Sequence, residues 1–437
     1  MLIMIPRGGS SLFKRKKVIN IFLVTILLII LSMGFSSTEV TLGSTAVAAE
    51  HITLTWMGDP QTTQTITWQT NVATNTLGQV QYAPEVDTKF FPHKSKSAIA
   101  QVEQLSTNFG IVNIHSVTLT GLNPGTSYIY RLGEEADWSE VHTFTTSAKN
   151  VSKFKFLVFG DSQSTNYNVW QSTIHQAYQA NPDAVFFTNI GDLVDNGQDY
   201  AQWKAWFEAA QGVVDIIPVM PVTGNHESYT PEGKFSMPIL FTAQLKLPLN
   251  GPEGLKGQVY SFDYGDVHFS MLDSQEGEER TFIPAMLDLQ KTWLENDLQS
   301  THKKWKIVCF HRPPYNNKEH GANENIRRAF VPILDKYHAD VVFTGHDHVY
   351  GHTYPLLGDE VVDSPDKGTI YVASGRSGTK TYRDVSNKGW NQFFYNPIDE
   401  PNYITVEVRG DSLTVKAFKQ SGILIDDWTI DKTVGPK

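Results

Sequence analysis

The chain has 437 residues, enough for two or three domains at roughly 100–200 residues each. With 40% hydrophobic and 19% charged residues, and with 24 Phe, 17 Tyr and 10 Trp, it holds material for large cores, which excludes global disorder and a small disulfide-stapled scaffold. Lys and Arg number 36 against 46 Asp and Glu, a formal charge of −10, so no nucleic-acid polymer is expected as a partner.

Arg7, Lys14, Arg15, Lys16 and Lys17 precede an apolar run from Ile21 to Leu31, the order of an export signal. The small residues Ala46-Val47-Ala48 fit a cleavage site, so residues 1–48 are read as a signal peptide cut after Ala48 or Ala49, and the protein as secreted or extracytoplasmic. The rival is an uncleaved anchor, since Val18 to Phe35 approaches the length of a bilayer span; membrane contact at the cell surface is expected only then. Without residues 1–48 the balance is 31 basic against 45 acidic residues, a charge of −14.

Residues 49–148 form a series of alternating stretches such as His51 to Trp56, Thr65 to Thr70, Gly78 to Tyr82, His115 to Thr120 and Ser127 to Arg131. Alternation with turn-bounded spacing predicts an all-β sandwich. After a polar linker from Thr145 to Lys153 the texture changes across residues 149–437. Apolar runs at Phe154 to Phe159, Asp183 to Ile190, Ile216 to Val222, Trp305 to Phe310 and Asp340 to Thr344 alternate with helical patterns at Trp170 to Gln179, Tyr200 to Ala210, Met286 to Leu298 and Asn325 to Tyr337. This predicts an α/β domain with a largely parallel central sheet. The single Cys309 falls inside one of those runs and is read as a core residue.

Each apolar run ends in a polar residue capable of binding a metal. The five ends are Gly160-Asp161-Ser162-Gln163, Gly191-Asp192, Gly224-Asn225-His226-Glu227, His311, and Gly345-His346-Asp347-His348. Open α/β sheets place their ligand crevice at the carboxyl ends of strands. Singly, each is an ordinary turn or a solvated histidine; Gly58-Asp59-Pro60-Gln61 and Gly265-Asp266-Val267-His268 copy parts of the pattern and are assigned to turns. The ordered series of five predicts a metal site whose mixed carboxylate, amide and imidazole donors suit Zn, Mn or Fe. Two ions would need a bridge, for which Asp192 is the natural candidate, and would make a local phosphate site in an acidic protein. A metal-bound hydroxide would then attack phosphorus in line with the leaving group.

This series resembles the metallophosphoesterase (calcineurin-like) superfamily, most closely its purple acid phosphatase-like branch. His115 to Thr126 with Tyr128-Ile129-Tyr130-Arg131 is similar to that branch's fibronectin type III-like amino-terminal domain, and Tyr260 to Gly265 and His311-Arg312-Pro313-Pro314-Tyr315 are similar to further family segments. The resemblance implies a four-layer β-sandwich-type core with flanking helices, preceded by an immunoglobulin- or fibronectin III-like sandwich. It implies two metal ions, one held by Asp161, Asp192 and His348 and the other by Asp192, Asn225, His311 and His346, with His226 near the leaving group. Two departures bear on the metals. Asp195 stands where purple enzymes have a ligating tyrosine, which predicts that the tyrosinate-to-iron colour is absent; Gln163 stands where the wider superfamily often has a metal-binding histidine, leaving it to bind weakly or to orient water. Gly351-His352 replaces the family's Glu-Arg.

His320 is taken as a second catalytic candidate at the leaving group, Arg312 and Arg376 as candidate substrate contacts, and Lys380 as surface solvation. The sequence therefore points to an exported dinuclear-metal hydrolase of small phosphomonoesters. The alternatives are a phosphodiesterase or nucleotidase of the same superfamily, or a non-catalytic cell-surface binding protein.

Overall fold

The structure is a computed structural model that describes residues 49–71, 78–85, 91–134, 137–321 and 323–433. The export segment, its Ala46-Val47-Ala48 motif and the alternative anchor lie outside the described residues. No helix among the described residues is long and apolar enough to cross a membrane.

The amino-terminal part is a β-sandwich, as the alternation predicts. One sheet pairs Glu50–Thr55, Gln64–Asn71, Gly110–Leu119 and Gln101–Thr107; the other contains Lys96–Ile99, Gln79–Pro84, Ser127–Glu134, Asp137–Trp138 and His142–Thr145. Alternate residues turn inward, and Leu54, Ile66, Trp68, Val80, Tyr130, Leu132 and Phe144 fill the space between the sheets.

The second part departs from a single parallel sheet: it holds two mixed sheets packed face to face. The first runs Ala184–Asn189, Lys153–Phe159, Asn402–Arg409, Ser412–Lys419, Leu424–Asp431, and only its first pair is parallel. The second runs Tyr260–Tyr264, Val267–Met271, Trp305–Cys309, Val341–Thr344, Ile370–Ser374, Tyr350–Thr353, Asn391–Tyr395, with parallel pairing only in its centre. Aromatic rings interlock across the interface: Phe156 and Phe186 both stand edge-on to Phe269, at 5.4 and 5.5 Å between centroids. Helices Tyr167–Ala180 and Tyr200–Ala210 contribute Trp170, Ile174, Trp203 and Trp206 to the core shared by the two sheets. Met286–Ser300 and Glu324–Tyr337 bury Leu294, Leu298, Phe330 and Leu334 in a second cluster with Val308 and Val342 of the seven-stranded sheet. The result is the four-layer core expected from the resemblance. Strand-length apolar runs look alike whichever sheet they join, which is why the pattern suggested one sheet.

Ile216 to Val222 does not form a regular strand. It is extended and touches its neighbour through bridges at Phe187–Val219 and Ile190–Val222. The other edge of this segment meets the sandwich instead: Leu54 N donates to Val214 O and Val219 N to Leu54 O, both at 2.9 Å. Trp56 lies in the core shared by the two sheets, against Phe186, Phe262 and Tyr264. Tyr130 Oη donates to Asp215 O at 2.8 Å, while Asn108, at the tip of the Gln101–Leu119 hairpin, accepts from Tyr200 N at 2.9 Å. The sandwich and the phosphoesterase-like part therefore share a core. Truncating Trp56 to Ala is expected to destabilise the protein by about 3–5 kcal/mol. Urea denaturation read by circular dichroism and fluorescence should show one earlier, shared transition; an unchanged midpoint would contradict a shared core.

The copied motif at Gly265-Asp266 is a hairpin turn between Tyr260–Tyr264 and Val267–Met271, as expected. Its His268 is buried between two carboxylates, Nδ1 at 2.8 Å from Asp263 Oδ1 and Nε2 at 2.9 Å from Asp297 Oδ2. Burial disfavours the imidazolium, but the hydrogen bonds and charges of the two aspartates outweigh it and raise its pKa to about 9. A raised histidine stabilises the fold fully below the unfolded value of about 6.5 and loses that contribution as pH rises through about 9, a span on the order of 3 kcal/mol. Chemical denaturation between these pH values should show this decline in wild type and a flatter profile in His268→Gln.

Candidate metal centre

The carboxyl ends of both sheets meet at one place. Lys153–Phe159 and Ala184–Asn189 of the five-stranded sheet deliver Asp161 and Asp192, the bridged segment after them delivers Asn225, and Trp305–Cys309 and Val341–Thr344 of the facing sheet deliver His311, His346 and His348. Asp161, Asp192, His346 and His348 all have left-handed backbones, with φ of 25, 52, 70 and 56°. Such conformations are uncommon for residues with a Cβ and cluster at functional sites. Close approach of the loops explains two of the glycines. A Cβ on Gly224 would lie 2.2 Å from Asp192 Oδ1, and Gly191, at φ +80°, would place one 2.7 Å from His311 Nδ1.

His311 Nδ1 donates to Ile190 O and His348 Nδ1 to Lys380 O, both at 2.7 Å, which turns each Nε2 lone pair inward. His311 Nε2 is 3.1 Å from Asp192 Oδ2, and His348 Nε2 is 3.2 Å from Asp161 Oδ1. Asn225 Oδ1 lies 3.0 Å from His346 Nδ1 and 3.2 Å from His311 Nε2. The donors fall into two groups, Asp192–His311–His346 and Asp161–Asp192–His348, within each of which the ligand atoms lie within 4.8 Å of one another. Asp192 belongs to both.

Burial opposes charge on Asp192, yet His311 and His226 hold its carboxyl well below the ordinary carboxylate range. Burial likewise opposes the His311 imidazolium, and Asp192 and Asp161 nevertheless raise it to about 9. His346 is pushed well below its usual value by burial and by the positive charges of Lys318, His311 and Arg312, so it offers a free lone pair. The donor set suits two divalent or trivalent ions sharing a carboxylate. Gln163 supports the fit: its Nε2 donates to Asp195 Oδ1 at 3.2 Å, while its Oε1 is buried without a partner.

The outer candidates fare differently. His226 borders the donors, its Nε2 4.0 Å from Asp192 Oδ2. Its Nδ1 donates to Asp195 O at 2.6 Å, leaving Nε2 to accept from Lys380 Nζ at 2.9 Å. Asp195 falls in neither donor group among the described residues; its half-exposed carboxylate takes Gln163 and, at 3.3 Å, Lys380. Arg312 reaches the centre, with Nη1 3.4 Å from His346 Nε2 and Nη2 held by Glu278 at 2.6 Å. Arg376 does not: it is buried, and its guanidinium donates to the carbonyls of Gly378, Pro397 and Ile398 at 2.6, 2.9 and 3.3 Å, closing a loop where a substrate contact was expected. His320 is exposed, two residues after Lys318 in the same loop. The inward residue of that loop is Lys318, pinned by its bridge to Val385, its Nζ 4.2 Å from the Tyr382 ring centroid and its charge facing Asp347, Asp161 and Asp192.

The sequence reading thus missed Lys318 and misplaced Lys380, because spacing along a loop says nothing about which residue turns inward. It also gave no role to Glu227, whose buried carboxylate accepts from Gly224 N, Asp192 N, Leu193 N and Val194 N at 2.7, 2.8, 2.8 and 3.3 Å. The centre is separate from a cleft of about 900 Å³ at the junction of the two parts, lined by Met57, Asp59, Asn250, Asp263, His268 and Lys303 among others.

Comparison with known proteins agrees with this geometry. Residues 154–350 match the family described as calcineurin-like phosphoesterase, and residues 49–146 the purple acid phosphatase N-terminal domain. The chain is 27% identical over 361 residues to acid phosphatase type 7 of Mus musculus, covering 76% of this chain and 78% of that one. It is 25% identical over 356 residues to purple acid phosphatase 23 of Arabidopsis thaliana, covering 71% and 75%. The fold matches that of a purple acid phosphatase from yellow lupin (Lupinus luteus) seeds with a TM-score of 0.71 at 19% identity, over 88% of this chain and 74% of that one. The chain carries a calcineurin-like phosphoesterase domain preceded by a purple acid phosphatase N-terminal domain.

Proposed function

We propose that this phosphoesterase hydrolyses small phosphomonoesters at a dinuclear metal centre, with Asp161, Asp192 and His348 as ligands of one ion and Asp192, Asn225, His311 and His346 as ligands of the other. The observation that carries the reading is the membership of Asp192 in both donor groups, the arrangement a bridging carboxylate requires. Zn, Mn or Fe ions held there would supply Lewis acidity and lower the pKa of water beside phosphorus. Around them, Lys318, Lys380 and Arg312 offer N–H donors to the phosphoryl oxygens of a dianion. The Asp195 carbonyl and the Lys380 ammonium orient the His226 ring toward the leaving oxygen. Gln163 Oε1 is placed to accept a hydrogen bond from water. Three cations beside the donors favour a monoester dianion over the single charge of a diester. We further propose export, with residues 49–148 and 149–437 as the two domains of the mature chain. Sequencing the amino terminus of protein recovered outside the cytoplasm should begin at residue 49 or 50.

Assays of p-nitrophenyl phosphate and its bis-ester with added Mn, Zn or Fe should show monoester hydrolysis. Asp192→Asn is expected to lower it at least about a hundredfold and to reduce metal content from two ions per chain. Equal activity of wild type and Asp192→Asn, or none with any metal, would overturn the reading. Lys318→Met and Lys380→Met should each raise KM for the monoester about tenfold, the loss of one charged hydrogen bond, and change that for the bis-ester less.

A further inference from the structure

A ladder of aromatic rings leads from the metal centre to solvent. It begins at His226, beside Asp192. Tyr229 stands edge-on to His226 with centroids 5.0 Å apart, and Phe235 stacks on Tyr229 at 5.6 Å with the rings 23° from parallel. The segment that carries them is a short hairpin closed by the Tyr229–Phe235 bridge, by Thr230 N donating to Lys234 O at 2.9 Å and by Ser236 N donating to Ser228 O at 2.9 Å. Tyr229 is anchored to the centre through its hydroxyl, which accepts from Asn225 Nδ2 at 3.1 Å and lies 3.4 Å from Glu278 Oε1. Phe235 is 49% exposed although it is large and apolar, so part of its ring surface remains uncovered.

Packing does not require this exposure. Tyr229 is held by its hydroxyl and by His226, and the hairpin is closed by backbone hydrogen bonds, so a small or polar residue at position 235 would leave both intact. On the far side of the centre the arrangement is different: Tyr382 lies 4.6 Å from the His348 ring and already carries the Lys318 ammonium on its face. On the His226 side, by contrast, Phe235 leaves part of its ring uncovered.

Resting on the phosphoesterase reading above, we propose that Tyr229 and Phe235 form a stacking platform for the alcohol portion of the substrate, so that the site selects phosphoesters whose leaving group carries a planar aromatic ring, either an aryl group or a nucleobase. The cations and the metal donors hold the phosphoryl end, and the ring of the ester is withdrawn from water against Phe235. Tyr229 positions Phe235 and ties the platform to Asn225. Neither residue takes part in bond breaking, so the platform acts on binding of the ester.

The test uses equilibrium binding as well as turnover, with the full chain loaded with Mn. Calorimetry with phenylphosphonate, adenosine 5′-monophosphate and methylphosphonate, on the wild type and on Phe235→Ala and Phe235→Leu, reads the platform without catalysis. Stacking of one ring predicts aromatic ligands about tenfold tighter than methylphosphonate in wild type, a preference lost in both variants while methylphosphonate binding stays the same. Preference for phenylphosphonate alone identifies an aryl ligand, and preference for the nucleotide alone identifies a base. In turnover, KM should rise for aromatic esters and stay unchanged for glycerol phosphate, with kcat constant. Equal wild-type affinity for aromatic and methyl ligands, or an unchanged preference in the variants, would overturn the platform. Selective binding without hydrolysis of any ester would leave the platform standing and overturn the phosphatase reading, so the two failures are distinguishable.

Discussion

The Glu227 carboxylate holds the candidate metal centre together. It is fully buried, and its two oxygens accept from four backbone N–H groups in two loops: Asp192, Leu193 and Val194 on one, Gly224 on the other. These donors would otherwise be buried without partners, at about 1–3 kcal/mol each. Through them Glu227 fixes the separation between Asp192 and Asn225, which come from neighbouring segments of one sheet edge. It also holds Asp192 in its left-handed conformation, with the carboxylate turned toward His311. Burial and the nearby charge of Asp192 push the Glu227 carboxyl up to about 8 against the pull of the Gly224 and Val194 N–H groups and the charge of His311. Cations among the neighbouring donors would offset that repulsion, so the site is electrostatically matched to the charge it is built to hold.

This local arrangement resolves the tension between an acidic chain and a substrate that is itself negative. The overall charge of −10 describes the surface at a distance, where screening acts over roughly 8–10 Å. Within the site, Arg312, Lys318 and Lys380 are placed by specific contacts with Glu278, Tyr382 and His226. Burial lowers the Lys318 pKa even as the carboxylates oppose the shift, the mark of a cation drawn out of water toward the centre. Net charge argues against a polymer partner without bearing on phosphate chemistry.

Much of the fold was legible because the strands are short, turn-bounded and strongly apolar. The same runs reappear with shifts of one or two residues, as Phe154 to Phe159 within Lys153–Phe159 and Trp305 to Phe310 ending at Cys309. The sheet each run joins was not legible, since a residue buried on both faces carries no label for its neighbour. The six donor residues stood out because each follows a buried run directly, where the chain has little freedom to diverge. His320, Lys318 and Lys380 lie further along loops, and Arg376, although only two residues past Ile370–Ser374, is turned away by the carbonyls of Pro397 and Ile398; orientation here depends on distant contacts, such as the Lys318–Val385 bridge. Glu227 was visible as a letter, but its role is a backbone one, and backbone hydrogen bonding leaves no periodicity in side chains.

The hairpin with Asn108 at its tip reaches across to the second part of the chain. Asn108 caps the Tyr200–Ala210 helix, donating to Asp199 Oδ1 at 3.2 Å as well as accepting from Tyr200, and Asp199 lies in the loop that continues from Asp195. Trp56 and Leu54 seat the same sandwich in the phosphoesterase core, so this contact is made by a part of the chain that is itself anchored there. The amino-terminal part therefore works as a buttress: the sheet that fastens it to the core also carries the hairpin that braces the loop beside His226.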